Sequence, residues 1–260
     1  MPRSATQKKS TGQSHSTPRV GMPAPASVVS EGSLKSPKGK VYRIIRTNEV
    51  DAGEPKPAPA AVVGVGMMAA GPLSDDFAGN DRKAAKLSIS AAPPEKFKDL
   101  ADLVASLPSI SAMKAHQPVI KLDPTSGRVK EEERNVTLNA FLYAASREAD
   151  NDFHLIVGRD PHTTPSLYLT MELSGLPPTS SAFRARFRTA RNAFQKYFGA
   201  KAPGLTYDFY NPPIPVRIAG SLFFDMTHAM GKPAPGPKSL KANMPTIWEV
   251  HPVTRITFEP

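Results

Sequence analysis

The chain has 260 residues, 28 of them proline, with a net charge of +10 and an isoelectric point near 9.8. It has no cysteine, which excludes disulfides, thiolate nucleophiles and cysteine metal sites. The basic charge favours polyanionic partners such as nucleic acid or an anionic membrane surface, although a basic segment can also serve only to keep a protein in solution.

Residues 1–90 are predicted to be a disordered basic region rich in Pro, Ala and Ser. Residues 1–60 hold ten Lys and Arg against four Asp and Glu and have almost no aromatic side chains. Such a segment has too little apolar surface to offset the entropy of ordering it. The start of the sequence lacks a signal-peptide core, and the apolar run at 60–71 falls short of the roughly 20 residues that span a bilayer. We therefore expect a soluble, cytoplasmic protein without a membrane partner.

The same apolar run matches the dinucleotide-binding pattern at Gly64-x-Gly66-x-x-Ala69. That pattern requires a preceding strand and a following helix, whose N-terminus faces the pyrophosphate. Here proline-rich sequence precedes it, and Gly71-Pro72 would end any helix at once. The sequence therefore predicts no bound cofactor.

Residues 91–134 are predicted to form a short helix and a connection. In residues 93–108 apolar side chains recur at helical spacing between prolines. These side chains are Phe97, Leu100, Leu103, Val104 and Leu107. A short strand is expected at 118–122, followed by a charged connection.

Residues 135–260 show the alternation of apolar and polar residues that half-buried strands require. The predicted strands lie at 136–145, 152–157, 166–173, 214–225 and 246–258. A helix is predicted between the third and fourth strands, from a stripe formed by Phe183, Phe187, Ala190, Phe194 and Phe198. This order is that of the OB-fold, a five-stranded Greek-key barrel, with a nonspecific α+β sandwich as the alternative.

The predicted fold is thus mostly β. It is an OB-like five-stranded barrel with one helix between strands 3 and 4, preceded by the disordered region and the short helix. The segments "DFHLIVGRD" (152–160) and "IWEVHPV" (247–253) resemble those of bacterial proteins of unassigned function with a D-x-H-L-V/I strand and a terminal W-E-I-H-P-V strand. The resemblance covers residues 135–258 and implies an OB-like small barrel with no established reaction.

The first function that the sequence predicts is non-enzymatic binding of nucleic acid, single-stranded and weakly sequence-selective. OB-folds bind single strands by stacking bases on aromatic side chains beside a basic groove. The residues predicted to supply these groups are Phe141, Tyr143, Tyr168, Arg217, Phe223, Lys232, Lys238 and Lys241. The helix adds Arg184, Arg188 and Arg191, which suit phosphate contacts. Packing of the aromatic residues and solvation of the basic ones are the structural alternative.

The alternative function is a small-barrel hydrolase or nuclease. By alternation, Asp152 and His154 lie on the polar face of one strand, and Glu249 and His251 share a face of the last strand. If these strands approach each other, the four side chains converge for acid–base catalysis or metal binding. The sequence has no compact signature such as H-E-x-x-H, so it predicts no defined metal centre. Structural hydrogen bonding remains open, as does a protein-interaction module whose partner is another chain.

Overall fold

A computed structural model of the chain describes residue 25 and residues 27–51, 75–231 and 235–260. The fold is mostly β and contains an eight-stranded mixed sheet. The strands are β1 (Val28–Lys35), β2 (Val41–Thr47), β3 (Pro94–Phe97), β4 (Asn135–Arg147), β5 (Phe153–Gly158), β6 (Tyr168–Leu173), β7 (Asp208–Phe224) and β8 (Trp248–Phe258). The α-helices are α1 (Lys83–Lys86), α2 (Leu100–Ala105), α3 (Ile110–Lys114), α4 (Arg184–Phe198) and α5 (Met226–Ala229).

Five of the strands pair in a closed circuit. β4 pairs with β5, β5 with β6, β6 with β8, β8 with β7, and β7 returns to β4. The β6–β8 pairing is parallel and the other four are antiparallel. β1 and β2 extend the sheet from β7, and β3 pairs in parallel with β4.

The core lies inside this circuit, and α4 packs against it. The apolar stripe of α4 meets the sheet at Phe194, whose ring centroid is 4.8 Å from that of Phe153. Phe258 near the end of β8 stacks on Tyr197, with ring centroids 4.1 Å apart. Trp248 is fully buried, and its indole N–H donates a hydrogen bond of 2.9 Å to the carbonyl of Pro108. The five strands and the helix predicted between 135 and 260 are therefore all present as β4–β8 and α4.

The prediction of mostly β structure is confirmed, but the predicted number of elements is wrong. The sheet has eight strands instead of five, and the described residues contain several helices. In residues 93–108 the predicted helix is shorter, because Pro94–Phe97 forms β3 and the helix begins only after Asp99. The Asp99 side chain accepts a hydrogen bond from the backbone N–H of Ala101, as an N-cap residue does.

The prediction of disorder is wrong for β1 and β2. Tyr42 and Ile44 are fully buried in the main core, and Ile45 is buried on the opposite side of the strand. β2 has only these three buried apolar side chains. They are too few to stand out in the sequence from their basic surroundings. Residues 1–24, 26 and 52–74, including the Gly64-x-Gly66 pattern, lie outside the described residues.

None of the helices among the described residues is both long enough and apolar enough to cross a membrane.

Candidate functional site

Acidic and histidine side chains gather where β5, β6 and β8 lie side by side. Met171 of β6 is paired with Val250 of β8, and both side chains belong to the core. Because side chains alternate along a strand, Glu172 of β6 and its neighbours Glu249 and His251 of β8 project to the other side of the sheet. They meet residues from the start of β5 there.

Five of these side chains form a continuous row that we call the carboxylate–histidine chain. Asp51 Oδ2 lies 2.6 Å from His154 Nδ1, and His154 Nε2 lies 2.9 Å from Glu172 Oε1. The other oxygen of Glu172, Oε2, lies 2.6 Å from His251 Nδ1. His251 Nε2 faces Asp152 Oδ2 at 3.6 Å. The two histidines are therefore linked through one glutamate instead of contacting each other.

One end of this chain is sealed from solvent. Asp152 and His251 are fully buried, and Glu172 and Glu249 are 2% and 1% exposed. Glu249 and His251 therefore do not face solvent. They do lie opposite the core, but Phe223 covers this side, with its ring centroid 5.4 Å from that of His251.

The other end of the chain opens into a cavity of about 320 Å³. Its lining includes six carboxylates, from Asp51, Asp81, Glu148, Asp150, Glu172 and Asp225. Lys86 is the one lysine or arginine among the described residues that line it, accompanied by His154 and His228. The cavity is therefore strongly acidic although the whole chain is basic, and a site of this sign attracts cations.

The carboxylates around His154 control its protonation. Burial alone would lower the pKa of His154, but Glu172, Asp51 and Glu148 outweigh it and hold that pKa well above 6.5. Burial acts against ionisation of Glu172 as well, yet His154 and His251 keep its pKa well below the usual range. Burial raises the pKa of Glu148 to about 7.

At the sealed end the balance is different. Burial raises the pKa values of Asp152 and Glu249 well above their ordinary range, and neighbouring carboxylates add to this effect. Burial also lowers the pKa of His251, against the attraction of Glu172. The neutral forms of Asp152, Glu249 and His251 are therefore favoured when no cation compensates the carboxylates.

Two sets of three side chains are arranged so that they could hold a cation. We call Asp51, Glu148 and His154 the open group, and Asp152, Glu172 and His251 the closed group. In each group the three ligand atoms lie within 4.8 Å of one another. The open group borders the cavity, while the closed group is buried.

Sequence reasoning named four residues for the hydrolase alternative, Asp152, His154, Glu249 and His251, and the structure brings all four into this cluster. The sequence analysis did not identify four further residues of the cluster and cavity, which are Asp51, Lys86, Glu148 and Glu172. Glu172 is the one charged residue of β6, which was the available signal. Asp51 could not be found, since it lies in the region predicted to be disordered.

Three aromatic residues predicted to stack on bases are buried instead. Tyr143, Tyr168 and Phe223 are at most 3% exposed. The rings of Tyr143 and Tyr168 meet edge to face, with centroids 4.9 Å apart, in a second apolar cluster that includes Leu240. The loop between β7 and β8 thus covers the sheet face of Tyr143 and Tyr168, which was predicted to bind bases. Of the four aromatic residues predicted to stack on bases, only Phe141 is partly exposed.

Two of the helix arginines support the fold. Arg191 is buried and donates hydrogen bonds to Asp75 and to three backbone carbonyls. Arg184 pairs with Asp76 at 2.9 Å. Lys241 is partly buried, and burial lowers its pKa. The exposed members of the predicted basic set are Arg188, Arg217 and Lys238, while Lys232 lies outside the described residues.

Comparisons of the chain with models of protein families, with curated proteins and with solved structures gave no match. The resemblance to bacterial proteins with a terminal W-E-I-H-P-V strand therefore stays a prediction. The function has to be argued from the geometry of the cluster and the cavity.

Proposed function

We propose that this protein is a divalent-cation-dependent hydrolase whose substrates are the phosphodiesters of nucleic acid. The observation that carries the proposal is the open group, in which an imidazole and two carboxylates converge at the wall of a solvent-accessible cavity. Catalytic metal sites have this form, because the protein supplies about three ligands and leaves a position for water or substrate.

The two carboxylates of the open group are held in place by other groups. Asp51 Oδ1 accepts hydrogen bonds from the hydroxyl of Tyr207 at 2.5 Å and from the backbone N–H of Gly236 at 2.7 Å. Glu148 Oε1 accepts one from the hydroxyl of Ser146 at 2.5 Å. Glu148 therefore keeps its second oxygen for a ligand, while the second oxygen of Asp51 faces His154 Nδ1 at 2.6 Å.

The imidazole of the open group is oriented in the same way. Glu172 Oε1 lies 2.9 Å from His154 Nε2, which leaves Nδ1 directed towards Asp51 and Glu148. A carboxylate behind a metal-binding histidine fixes the ring and increases the basicity of the ligating nitrogen. Glu172 is thus a positioning residue for His154.

A divalent cation in the open group would supply Lewis acidity and lower the pKa of bound water. Without it, the six carboxylates of the cavity would repel a phosphodiester. Lys86 also lines the cavity, and it stays charged because Glu172, Asp150 and other carboxylates raise its pKa although burial opposes them. We assign Lys86 to binding the phosphate.

The position of the cavity in the fold supports nucleic acid as the substrate. Together with this function we propose that the circuit β4-β5-β6-β8-β7, with α4 between β6 and β7, is an OB-like barrel. Glu148 and Asp150 then belong to the loop between the first two barrel strands, and Asp225 and His228 to the loop between the last two. These are the loops with which OB-folds bind oligonucleotides.

Binding by base stacking alone has less support, because Tyr143, Tyr168 and Phe223 are buried. The net charge of +10 is still suited to attracting a polyanion. Nucleic acid therefore enters our proposal as a substrate instead of a passively bound partner.

The test is hydrolysis of single-stranded and double-stranded oligonucleotides by the full chain, with Mg²⁺, Mn²⁺ or Zn²⁺ and with EDTA. We expect cleavage that EDTA abolishes and that His154→Gln reduces by about 100-fold or more, the scale on which such groups contribute. The matched control is His162→Gln, because His162 is an exposed histidine outside the cavity.

His162→Gln should retain the full rate. Absence of cleavage by the unmodified chain with all three cations would overturn the proposal. Equal rates for His154→Gln and the unmodified chain would show that a different site is responsible.

A further inference from the structure

We infer that the closed group, with Glu249 beside it, is a second cation site that binds a divalent transition-metal ion and fastens β5, β6 and β8 together. The inference goes beyond the proposed function, because it concerns the sealed end of the carboxylate–histidine chain and requires no hydrolysis. It depends on unsatisfied polar atoms, on their spacing and on their place in the sheet.

The closed group and the adjacent Glu249 contain buried polar atoms that have no hydrogen-bond partner among the described residues. These are Asp152 Oδ2, Glu172 Oε2, both ring nitrogens of His251 and both carboxylate oxygens of Glu249. Buried polar atoms in folded proteins are almost always satisfied, and a group of exceptions indicates a missing water or ion. Burying a polar group without a hydrogen bond costs free energy, whether or not the group is charged.

These atoms make no hydrogen bonds with one another, yet those of the closed group lie within 4.8 Å of one another, close enough to share a cation. His251 Nδ1 lies 2.6 Å from Glu172 Oε2 without forming a hydrogen bond of good geometry, and it lies 3.7 Å from Glu249 Oε2, which is beyond hydrogen-bond distance. Ligand atoms at about 2.0–2.2 Å from one metal ion would be about 3–3.5 Å apart. A cation would therefore use the atoms that the protein alone leaves unused.

The site lies where the strand circuit closes. The parallel pairing of β6 with β8 has one register pair among the described residues, Met171 with Val250. Glu172 follows Met171, while Glu249 and His251 flank Val250, so the candidate ligands surround this pairing. A bound cation would link β6 to β8, which few ladder hydrogen bonds join. Through Asp152 it would also link both strands to the start of β5.

The ligand chemistry indicates the class of ion. One imidazole with carboxylate oxygens suits Zn²⁺ and similar transition-metal ions, whereas Mg²⁺ prefers oxygen ligands and keeps several waters, for which a sealed site has no room. Glu172 also borders the cavity, so an ion can reach the site from there. We therefore use Zn²⁺ as the probe.

The experiment measures Zn²⁺ retained by the full chain, after treatment with EDTA, reloading with Zn²⁺ and gel filtration. The variants are Asp152→Asn in the closed group, Glu249→Gln beside it and Asp51→Asn in the open group. Asp152→Asn is conservative, because its remaining oxygen can still accept the hydrogen bond from the backbone N–H of Gly175. Circular dichroism and thermal melting establish that each variant is folded.

We expect the unmodified chain and Asp51→Asn to retain one tightly held Zn²⁺, and Asp152→Asn and Glu249→Gln to bind it at least about 10-fold more weakly. Zn²⁺ should raise the melting temperature of the unmodified chain and of Asp51→Asn by several degrees, since an ion that binds only the folded state stabilises it. It should raise that of Asp152→Asn much less.

Failure of the unmodified chain to retain Zn²⁺ would overturn the inference. So would retention by folded Asp152→Asn and Glu249→Gln with unchanged affinity. Zn²⁺ retained in the closed group without any hydrolysis would leave the inference standing and count against the proposed function. EDTA-sensitive hydrolysis that depends on His154, without tightly held Zn²⁺, would support the proposed function and overturn the inference about the closed group.

Discussion

Arg82 and Glu132 form an ion pair that is almost completely removed from solvent, with side chains 1% and 0% exposed. The pair is bidentate, with both contacts at 2.7 Å. Arg82 also donates to the carbonyls of Gly127 and Phe224, and Glu132 accepts from two backbone N–H groups. The ion pair connects α1 and the segment before β4 to the end of β7, close to the cavity.

Removing the acid of this pair should destabilise the protein strongly. We expect Glu132→Ala to lower the free energy of unfolding by about 3–5 kcal/mol, because the guanidinium of Arg82 would stay buried without its counter-charge. Chemical denaturation measures this. The control is Glu133→Ala, an exposed neighbour whose loss should change the free energy by less than about 0.5 kcal/mol. Equal midpoints for Glu132→Ala and the unmodified chain would contradict the structure here.

Single residues also show where sequence reasoning stops. Alternation along β6 places Glu172 and Tyr168 on one side of the strand and Leu169 and Met171 on the other. It could not show that the β7–β8 loop covers Tyr168 or that Glu172 meets two histidines, because both depend on distant parts of the chain. Periodicity gives the face of a strand and not what lies against that face.

The β1–β2 hairpin is folded although composition predicted that residues 1–90 are disordered. It pairs with β7 and contributes Leu34, Tyr42 and Ile44 to the main core. Asp51, a member of the open group, follows directly after it. The hairpin therefore supports both the fold and the candidate site.

Truncation of a buried side chain in β2 tests this role. Ile44→Ala should cost about 2–5 kcal/mol of unfolding free energy, since Ile44 is fully buried. Val41→Ala in the same strand should cost less than about 0.5 kcal/mol, because Val41 is 59% exposed. Thermal or urea unfolding distinguishes the two. An Ile44→Ala variant as stable as Val41→Ala would mean that the hairpin does not pack on the core.

At this scale the sequence predicted well the elements that have a long regular pattern. β4 to β8 and α4 have many alternating or helically spaced apolar residues, and all were found. β1, β2 and β3 were missed because they are short or partly charged and are fixed by pairing with β7 and β4. The parallel contact of β6 with β8, which assembles the closed group, joins segments far apart in the chain and has no local signature.

The whole molecule combines two opposite charge distributions. Its net charge is +10, yet its cavity is lined by six carboxylates. Under the proposed function, long-range attraction of a polyanion and local attraction of a cation would act together, the first bringing nucleic acid to the surface and the second preparing the site that receives a phosphate. The open group is where both effects would meet.

The most direct measurement is anomalous diffraction, at the manganese absorption edge, from crystals of the full chain grown with Mn²⁺. We expect a peak in the cavity within ligand distance of Asp51, Glu148 and His154. Crystals of His154→Gln grown in the same way should lose that peak. Clear density for the three side chains, with the cavity open and no anomalous peak between them, would contradict a cation-dependent site.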